Sequence, residues 1–203
     1  MIQKKTHKSE QQRGFTLIEM IVSMSIFIIA ILISVGALIS LENASRKART
    51  VRVVTDNMSA ALDSMSRNLR MGTYYHCGCV APFTTTQNCP MTDDVGGGGD
   101  VCMAFESQWG DPAVAADQYI YRLQSNRIER STDGGATYLA LTAPELEVSN
   151  LRFYVSGTET DVNQPYVTMV IRVKASTTPK TATEFNIQTT IAERTPNFQY
   201  TAP

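Results

Sequence analysis

The sequence predicts an α+β protein in which a long N-terminal helix packs on an antiparallel β-sheet head. Three observations lead to this fold class: an uninterrupted apolar run, an amphipathic stripe that continues it, and a series of short β-type segments separated by turns. A chain of 203 residues suits one modest domain plus an anchor. The net charge of −1 argues against binding nucleic acid through a basic surface, so a nucleic-acid partner is not expected.

The first element is the apolar run Met20–Leu41, with the sequence MIVSMSIFIIAILISVGALISL. As a helix it would extend about 33 Å, which is enough to cross the hydrocarbon core of a bilayer. A cleavable secretory signal has a shorter apolar region that ends at a small-residue cleavage site. The run is therefore predicted to be retained as a transmembrane segment, at about residues 20–41 of a helix spanning 15–72.

The second half of that helix is predicted to be amphipathic. Its apolar residues recur at steps of three and four, which gives one stripe with charged residues off it. They are Ala44, Ala48, Val51, Val54, Met58, Ala61, Met65 and Leu69. Gly72 is placed to end the helix as a left-handed cap, and the stripe is the natural cover for one face of a sheet.

Residues 73–116 hold four cysteines, several prolines and a glycine run, and this composition predicts an irregular loop region. The even, clustered set Cys77, Cys79, Cys89 and Cys102 favours disulfides in an oxidising compartment. Because Cys77 and Cys79 are too close in the chain to pair readily, two pairings remain: 77–89 with 79–102, or 77–102 with 79–89. A four-thiolate zinc site and free thiols are the alternatives, and no metal or other cofactor is predicted. Trp109, the single tryptophan, is expected to be buried against the head.

The third part, residues 117–203, is predicted to form the antiparallel head and a C-terminal tail. Its β-type runs are short and separated by turns, which is typical of an antiparallel sheet with one face covered. The runs are Tyr119–Leu123, Arg127–Ser131, Tyr138–Leu141, Val148–Ser156, Val167–Ala175 and Phe185–Ile191. Ser125-Asn126 is predicted to join the first two runs as a tight hairpin turn.

The segment Arg13-Gly14-Phe15-Thr16-Leu17-Ile18-Glu19 follows a basic leader and precedes the apolar run. This arrangement resembles the processing site of type IV prepilins and pseudopilins. The resemblance implies a leader of residues 1–14, cleavage between Gly14 and Phe15 by a membrane-embedded aspartyl peptidase, and N-methylation of Phe15. A residue without a side chain at position 14 lets the backbone enter a narrow protease cleft.

Glu19 is the one charged residue between Phe15 and Leu41. An ionised carboxylate in hydrocarbon costs a few kcal/mol or more, roughly, so its presence requires a reason. In the family that the motif resembles, the acid at this position pairs with the amino terminus of a neighbouring subunit and favours insertion into the filament. The alternative is an acid near the membrane edge that reaches water.

A second, more limited resemblance covers Tyr119–Ser156. Three segments in this range follow the order seen in J-type minor pseudopilins of type II secretion and in W-type minor pilins. They are Tyr119-Ile120-Tyr121-Arg122-Leu123, Ile128-Glu129-Arg130 and Val148-Ser149-Asn150-Leu151-Arg152-Phe153-Tyr154. This likeness implies a minor subunit located at the filament tip.

Together these features predict a structural minor pilin or pseudopilin and not an enzyme. The chain contains neither a G-x-S-x-G elbow nor a phosphate-binding loop. The implied partners are other pilin-like subunits, the prepilin peptidase and an inner-membrane assembly platform. We expect a single-pass inner-membrane protein whose C-terminal head lies outside the cytoplasm. Two alternatives are a tip adhesin or DNA-capture subunit that uses the cysteine loop, and a membrane-anchored protein that never polymerises.

Overall fold

The structure is a computed structural model, and it describes residues 14–91, 98–158, 164–175 and 183–194. The chain divides into two compact units, the first ending at Arg46 and the second beginning at Lys47. A single helix, α1, extends from Leu17 to Met71 and is followed by antiparallel sheets. The α+β fold class predicted from the sequence is therefore confirmed. Residues 1–13 of the predicted leader and residues 195–203 of the C-terminal tail lie outside the described residues.

The strands of the second unit form two antiparallel sheets. The first sheet has the order β1-β2-β3-β4-β5 and the second has the order β6-β7-β8. Their bounds are Thr73–Cys77 for β1, Cys102–Glu106 for β2, Tyr119–Gln124 for β3, Arg127–Ser131 for β4, Leu139–Ala140 for β5, Leu146–Ser156 for β6, Tyr166–Ala175 for β7 and Thr183–Ala192 for β8. A short 3₁₀ helix, Ala115–Asp117, precedes β3. Strands β1 and β2 lie inside the region that the sequence predicts as irregular.

The core lies between the last turns of α1 and both sheets. Five residues of the predicted stripe are buried, whereas its first residues are exposed or half-buried. The buried ones are Val54, Met58, Ala61, Met65 and Leu69. They meet the inward face of β7, where Val167, Met169, Ile171 and Val173 are fully buried. Side chains alternate between the two faces of a strand, so these four residues lie on one face of β7, towards the helix; Thr168, between two of them, is also buried.

Two predicted backbone features have different outcomes. The hairpin between β3 and β4 turns at Ser125 and Asn126, both with positive φ (50° and 60°), as a tight hairpin turn requires. Gly72, by contrast, does not adopt the left-handed conformation predicted for a helix cap. The reason for glycine there is close packing, since a β-carbon would lie 2.9 Å from Cε2 of Phe105. The prediction of a left-handed cap was wrong. Glycine at position 72 instead allows the Phe105 ring to pack against the end of α1.

Candidate functional site

The segment around the expected cleavage point is exposed and lies just before the helix. Residues 14–16 precede α1 and are exposed, and Phe15 has a side chain that is 77% accessible. A β-carbon added at Gly14 would meet nothing within 4 Å. Nothing in the described part of the chain therefore requires glycine at this position, and the bond between Gly14 and Phe15 is open to an enzyme.

Thr16 begins the helix. Its Oγ1 accepts a hydrogen bond from the Glu19 backbone N–H at 3.3 Å. This is the first half of a capping box, in which an N-cap hydroxyl binds the third helical N–H and an acid stands at that third position. A carboxylate in the first turn also interacts favourably with the helix dipole. The spacing Thr-x-x-Glu was visible in the sequence, so this structural role for Glu19 could have been predicted.

The side chain of Glu19 is exposed, and within the described residues it makes no ion pair. The Glu19 carboxylate is therefore available to a charged group from outside the described residues.

The apolar residues that follow form an unburied surface. All the large apolar side chains from Leu17 to Leu41 are exposed. A contiguous apolar surface of this size is unfavourable in water and requires lipid or other protein chains as its environment. The helix is long and apolar enough to cross a membrane.

The serines of this segment are suited to such an environment. Four serine hydroxyls donate a hydrogen bond to a backbone carbonyl three or four residues earlier in the helix, so they are not left unpaired in hydrocarbon. These bonds join Ser23 to Met20, Ser25 to Ile21, Ser34 to Ala30 and Ser40 to Gly36, at 2.7–3.0 Å. Because these hydroxyls are hydrogen-bonded within the helix, the segment exposes few unpaired polar groups to lipid.

The four cysteines all form disulfides, Cys77 with Cys89 and Cys79 with Cys102. The Cα–Cα distances are 5.9 and 5.4 Å. The structure thus adopts one of the two pairings that the sequence left open. Cys77 ends β1 and Cys102 begins β2, while Cys89 hydrogen-bonds through its backbone to Val155 of β6. The disulfides fasten the loop after β1 to the first sheet, and the backbone of Cys89 joins it to the second.

The buried side chain of His76 also contacts the loop after β1. The imidazole is 4% exposed, and its two nitrogens face the backbone carbonyls of Thr85 at 2.7 Å and Val80 at 3.1 Å. Phe83 packs edge-on against the ring. The histidine therefore has a structural position in the loop, and its ring is already engaged on both sides.

Trp109 does not have the buried position that was predicted from the sequence. Its side chain is 89% exposed, so the expectation that it would be buried against the head was wrong. Trp109 lies on a turn closed by a hydrogen bond from the Gly110 N–H to the Ser107 carbonyl at 3.2 Å. The turn directs the indole into solvent, and polar groups lie under the turn.

Those groups centre on Glu106, which is 1% exposed. Its carboxylate accepts hydrogen bonds from the Ser107 N–H at 2.9 Å and from Nε2 of the buried Gln118 at 2.5 Å. Burial raises the pKa of Glu106, and the nearby Asp117 and Asp111 raise it further, while the hydrogen bonds lower it. The buried acid thus fixes the turn at some electrostatic cost.

A second buried acid, Glu193, follows β8. It is 1% exposed and neither carboxylate oxygen has a hydrogen-bond partner. Desolvation raises its pKa to about 7. Burial raises the pKa of the Tyr75 phenol above its ordinary value, and Glu193 raises it further. The phenol donates a hydrogen bond to the Leu69 carbonyl at 2.6 Å.

In the ranges that the structure describes, no group of three or more His, Cys, Asp or Glu residues is arranged to hold a metal ion. The four cysteines, which could have formed a zinc site, are occupied as disulfides.

Comparison with protein families gives one match. Residues 11–35 match the model described as the prokaryotic N-terminal methylation motif. The matched range contains Gly14, Phe15 and Glu19 and ends within the apolar half of α1. No curated protein and no solved structure matches the chain significantly.

The motif supports a place for this chain among type IV pilin-like proteins, which are processed by a prepilin peptidase and assemble with other pilins. That family is structural and not catalytic. The apolar half of α1 together with the motif suits a single-pass membrane-anchored protein.

Proposed function

We propose that this chain is a structural minor pilin or pseudopilin subunit, cleaved between Gly14 and Phe15 and built into a type IV pilus or a type II secretion pseudopilus. The observation that carries the proposal is the methylation motif at residues 11–35, which coincides with an exposed cleavage point and an unburied apolar helix. Residues 1–14 are then the leader and 15–72 the assembly helix. Residues 73–116, with their disulfides, and the sheets of 117–203 form the head.

Processing has a direct physical basis in this segment. Residues 14–16 are exposed and precede the first helical turn, so a peptidase can bind the backbone without unwinding the helix. Open space around Gly14 means that the requirement for glycine comes from the peptidase cleft. Cleavage releases the leader and creates a positive amino group at Phe15, which the peptidase then methylates.

Glu19 supports assembly through charge pairing. Its carboxylate is exposed and lacks an ion-pair partner in the described chain. Bringing it into an apolar filament core is unfavourable unless an opposite charge accompanies it. The amino group of Phe15 on a neighbouring subunit supplies that charge, so a subunit enters the filament with both charges neutralised.

We place the head outside the cytoplasm. Two disulfides require an oxidising compartment, which the bacterial cytoplasm does not normally provide. The apolar helix then crosses the inner membrane once. The assembly platform in that membrane extracts the subunit into the filament.

A minor, tip-located position rests on the resemblance of β3, β4 and β6 to the J-type and W-type subunits. These segments are Tyr119–Gln124, Arg127–Ser131 and Leu146–Ser156. The β3–β4 hairpin and the long β6 strand preserve the order of elements in that likeness.

The test is the intact mass and N-terminal sequence of the protein purified from membranes, with and without a co-expressed prepilin peptidase. We expect a chain that begins at N-methylated Phe15 only when the peptidase is present. A Gly14→Val variant, which retains the leader charge, is the matched control and should remain uncleaved. A chain that still begins at Met1 in the presence of an active peptidase would refute the proposal and leave a membrane-anchored protein that does not polymerise.

A further inference from the structure

The turn Ser107–Gly110 displays the only tryptophan of the chain to solvent. At 89% exposure, Trp109 is more accessible than any other large apolar side chain in the described residues, those of the apolar helix included. Burial of an indole is strongly favourable, so full exposure of this side chain forgoes stabilisation that a folded head would otherwise gain.

The exposure does not come from a loose loop. Glu106 binds both the Ser107 N–H and the Gln118 amide, and the Asp111 N–H donates to Oδ2 of Asp117 at 3.0 Å. Gly110 packs directly on the Glu106 carboxyl group, with room for no β-carbon. The turn is therefore held in one geometry, and a ligand that bound Trp109 would not have to order it first.

Beside the indole is a cleft of about 250 Å³. It lies where the last turns of α1 meet the end of β2 and the start of β3. Aromatic and apolar groups line part of it, and polar side chains with planar or hydroxyl groups line the rest. The lining residues are Arg67, Asn68, Met71, Phe105, Ser107, Gln108, Trp109 and Tyr119.

The charge of the cleft is balanced. The one charged lining residue, Arg67, pairs with Asp63 through Nη2 and Oδ2 at 2.9 Å. A phosphate or a nucleic acid would find no unpaired cation among the lining residues, and a cationic ligand would meet the guanidinium. The electrostatics thus favour a neutral ligand.

The polar lining also discriminates between neutral ligands. An apolar side chain from a protein partner would leave the Gln108 amide and Oδ1 of Asn68 without hydrogen bonds, which is unfavourable in a closed interface. Nδ2 of Asn68 already donates to the Tyr121 hydroxyl at 2.9 Å, so its Oδ1 is an acceptor directed by a fixed amide. A ligand that carries both an apolar face and hydroxyl groups satisfies every part of this lining.

We propose that the Trp109 cleft binds a neutral pyranose ring of a polysaccharide. The C–H face of the sugar stacks on the indole, with Tyr119 as the second aromatic wall. The hydroxyls donate to and accept from the amides of Asn68 and Gln108 and the hydroxyl of Ser107. The volume of the cleft accommodates one such ring, so neighbouring residues of the saccharide extend into solvent.

The experiment uses the full chain in a zwitterionic amine-oxide detergent, which avoids detergents with sugar headgroups. Because Trp109 is the only tryptophan, its fluorescence reports this cleft alone. We titrate neutral tetrasaccharides of glucose, galactose, mannose and N-acetylglucosamine, with inorganic phosphate as the anionic control. We expect a saturable blue shift with at least one saccharide and none with phosphate.

Calorimetry then tests the residues. Trp109→Ala should abolish the heat of binding, and Tyr119→Ala should weaken binding about tenfold, equivalent to about 1.4 kcal/mol. Leu139→Ala, which removes another highly exposed apolar side chain away from the cleft, is the matched control and should bind as the parent does. Unchanged circular dichroism verifies that each variant is folded.

Two results would overturn the proposal. One is the absence of any fluorescence or calorimetric response to every neutral saccharide in the panel. The other is a response that Trp109→Ala leaves intact. If saccharides fail and Trp109→Ala instead abolishes association with a purified pilin-like subunit, the cleft is a protein interface and the saccharide assignment is wrong.

Discussion

The backbone of Gly110 lies directly against the carboxyl group of Glu106, and a β-carbon at position 110 would fall 2.7 Å from Cδ of that acid. Glu106 is buried and holds the turn through Ser107 and Gln118. The exposed position of Trp109 therefore depends on a contact that only glycine permits.

Gly110→Ala should destabilise the head, because the methyl group has to displace a buried carboxylate from two hydrogen bonds. We expect a loss of roughly 1–3 kcal/mol, the usual range for overpacking. Thermal unfolding followed by near-ultraviolet circular dichroism measures it. Gln108→Ala, an exposed change in the same turn, should unfold as the parent does. Equal stability of the two variants would show that the turn is not held by Glu106.

Glu193 should make the head less stable as pH rises. Its pKa is raised to about 7 in the folded state, against an ordinary value of 4.5, so the folded state binds more protons than the unfolded state between those values. The contribution of Glu193 to stability is fully present below about pH 4.5, falls through the window from 4.5 to about 7, and is lost above it, by about 3 kcal/mol at most.

Glu193→Gln removes the ionisable group and should flatten this pH dependence while stabilising the head at pH 8. Urea unfolding at pH 5 and pH 8 gives the comparison. Glu145→Gln, at an exposed acid, is the matched control and should retain the parent slope. A parent protein that is more stable at pH 8 than at pH 5, with Glu193→Gln behaving identically, would contradict the assignment.

The disulfides should contribute separately to stability. They close segments with sequence separations of 12 and 23 residues. Chain-entropy arguments give about 3 kcal/mol for each. Paired replacement by alanine, at 77 with 89 or at 79 with 102, should lower the unfolding free energy by about that amount. Peptide mapping without reduction checks the pairing, and a peptide joining Cys77 to Cys102 would exclude the connectivity described above.

Glu19 offers a test that separates charge from helix capping. Glu19→Gln keeps a side chain able to complete the capping box but removes the charge. If Glu19 acts by pairing with the amino group of Phe15, both Glu19→Gln and Glu19→Ala should be cleaved normally and left out of filaments. Thr16→Ala removes the cap and keeps the charge, so it should still assemble.

Filament incorporation is measured by the share of each variant in sheared filaments relative to the membrane fraction. Normal incorporation of Glu19→Gln beside exclusion of Glu19→Ala would assign a structural and not an electrostatic role to this residue.

Leu69→Ala tests the packing of α1 on the sheets. Leu69 is fully buried in the core that contains Met65 and the inward residues of β7. Truncation should lower the unfolding free energy by about 2–5 kcal/mol. Leu38→Ala, on the exposed apolar part of the helix, should leave the urea unfolding of the head unchanged. Equal effects at the two positions would contradict the packing.

Much of the fold was visible in local patterns. Steps of three and four predicted the face of α1 that buries Met58 and Met65, and alternation predicted β3, β4, β6, β7 and β8 to within two residues at most ends. The strands β1 and β2 were missed because each is only five residues long and lies among cysteines and turn residues. Their β structure comes from pairing with each other and with β3, which no local pattern reveals.

The alternating pattern of β8 weakly indicates that Glu193 is buried. It stands two residues after the buried Ile191 and so continues the inward register of β8. An acid at the end of a strand is ordinarily assigned to solvent, and only the tertiary structure shows that this carboxyl is buried, where it interacts electrostatically with Tyr75.

The sequence by itself determined the helix, the candidate processing segment and the α+β class, because each depends on residue spacing along one segment of chain. Only the tertiary structure decided which cysteines pair, that Gly72 admits Phe105, that Glu106 and Glu193 are buried, and that Trp109 is exposed beside a cleft. These features depend on contacts between residues of different elements, and the free energy of such contacts cannot be read from the sequence pattern of any one element.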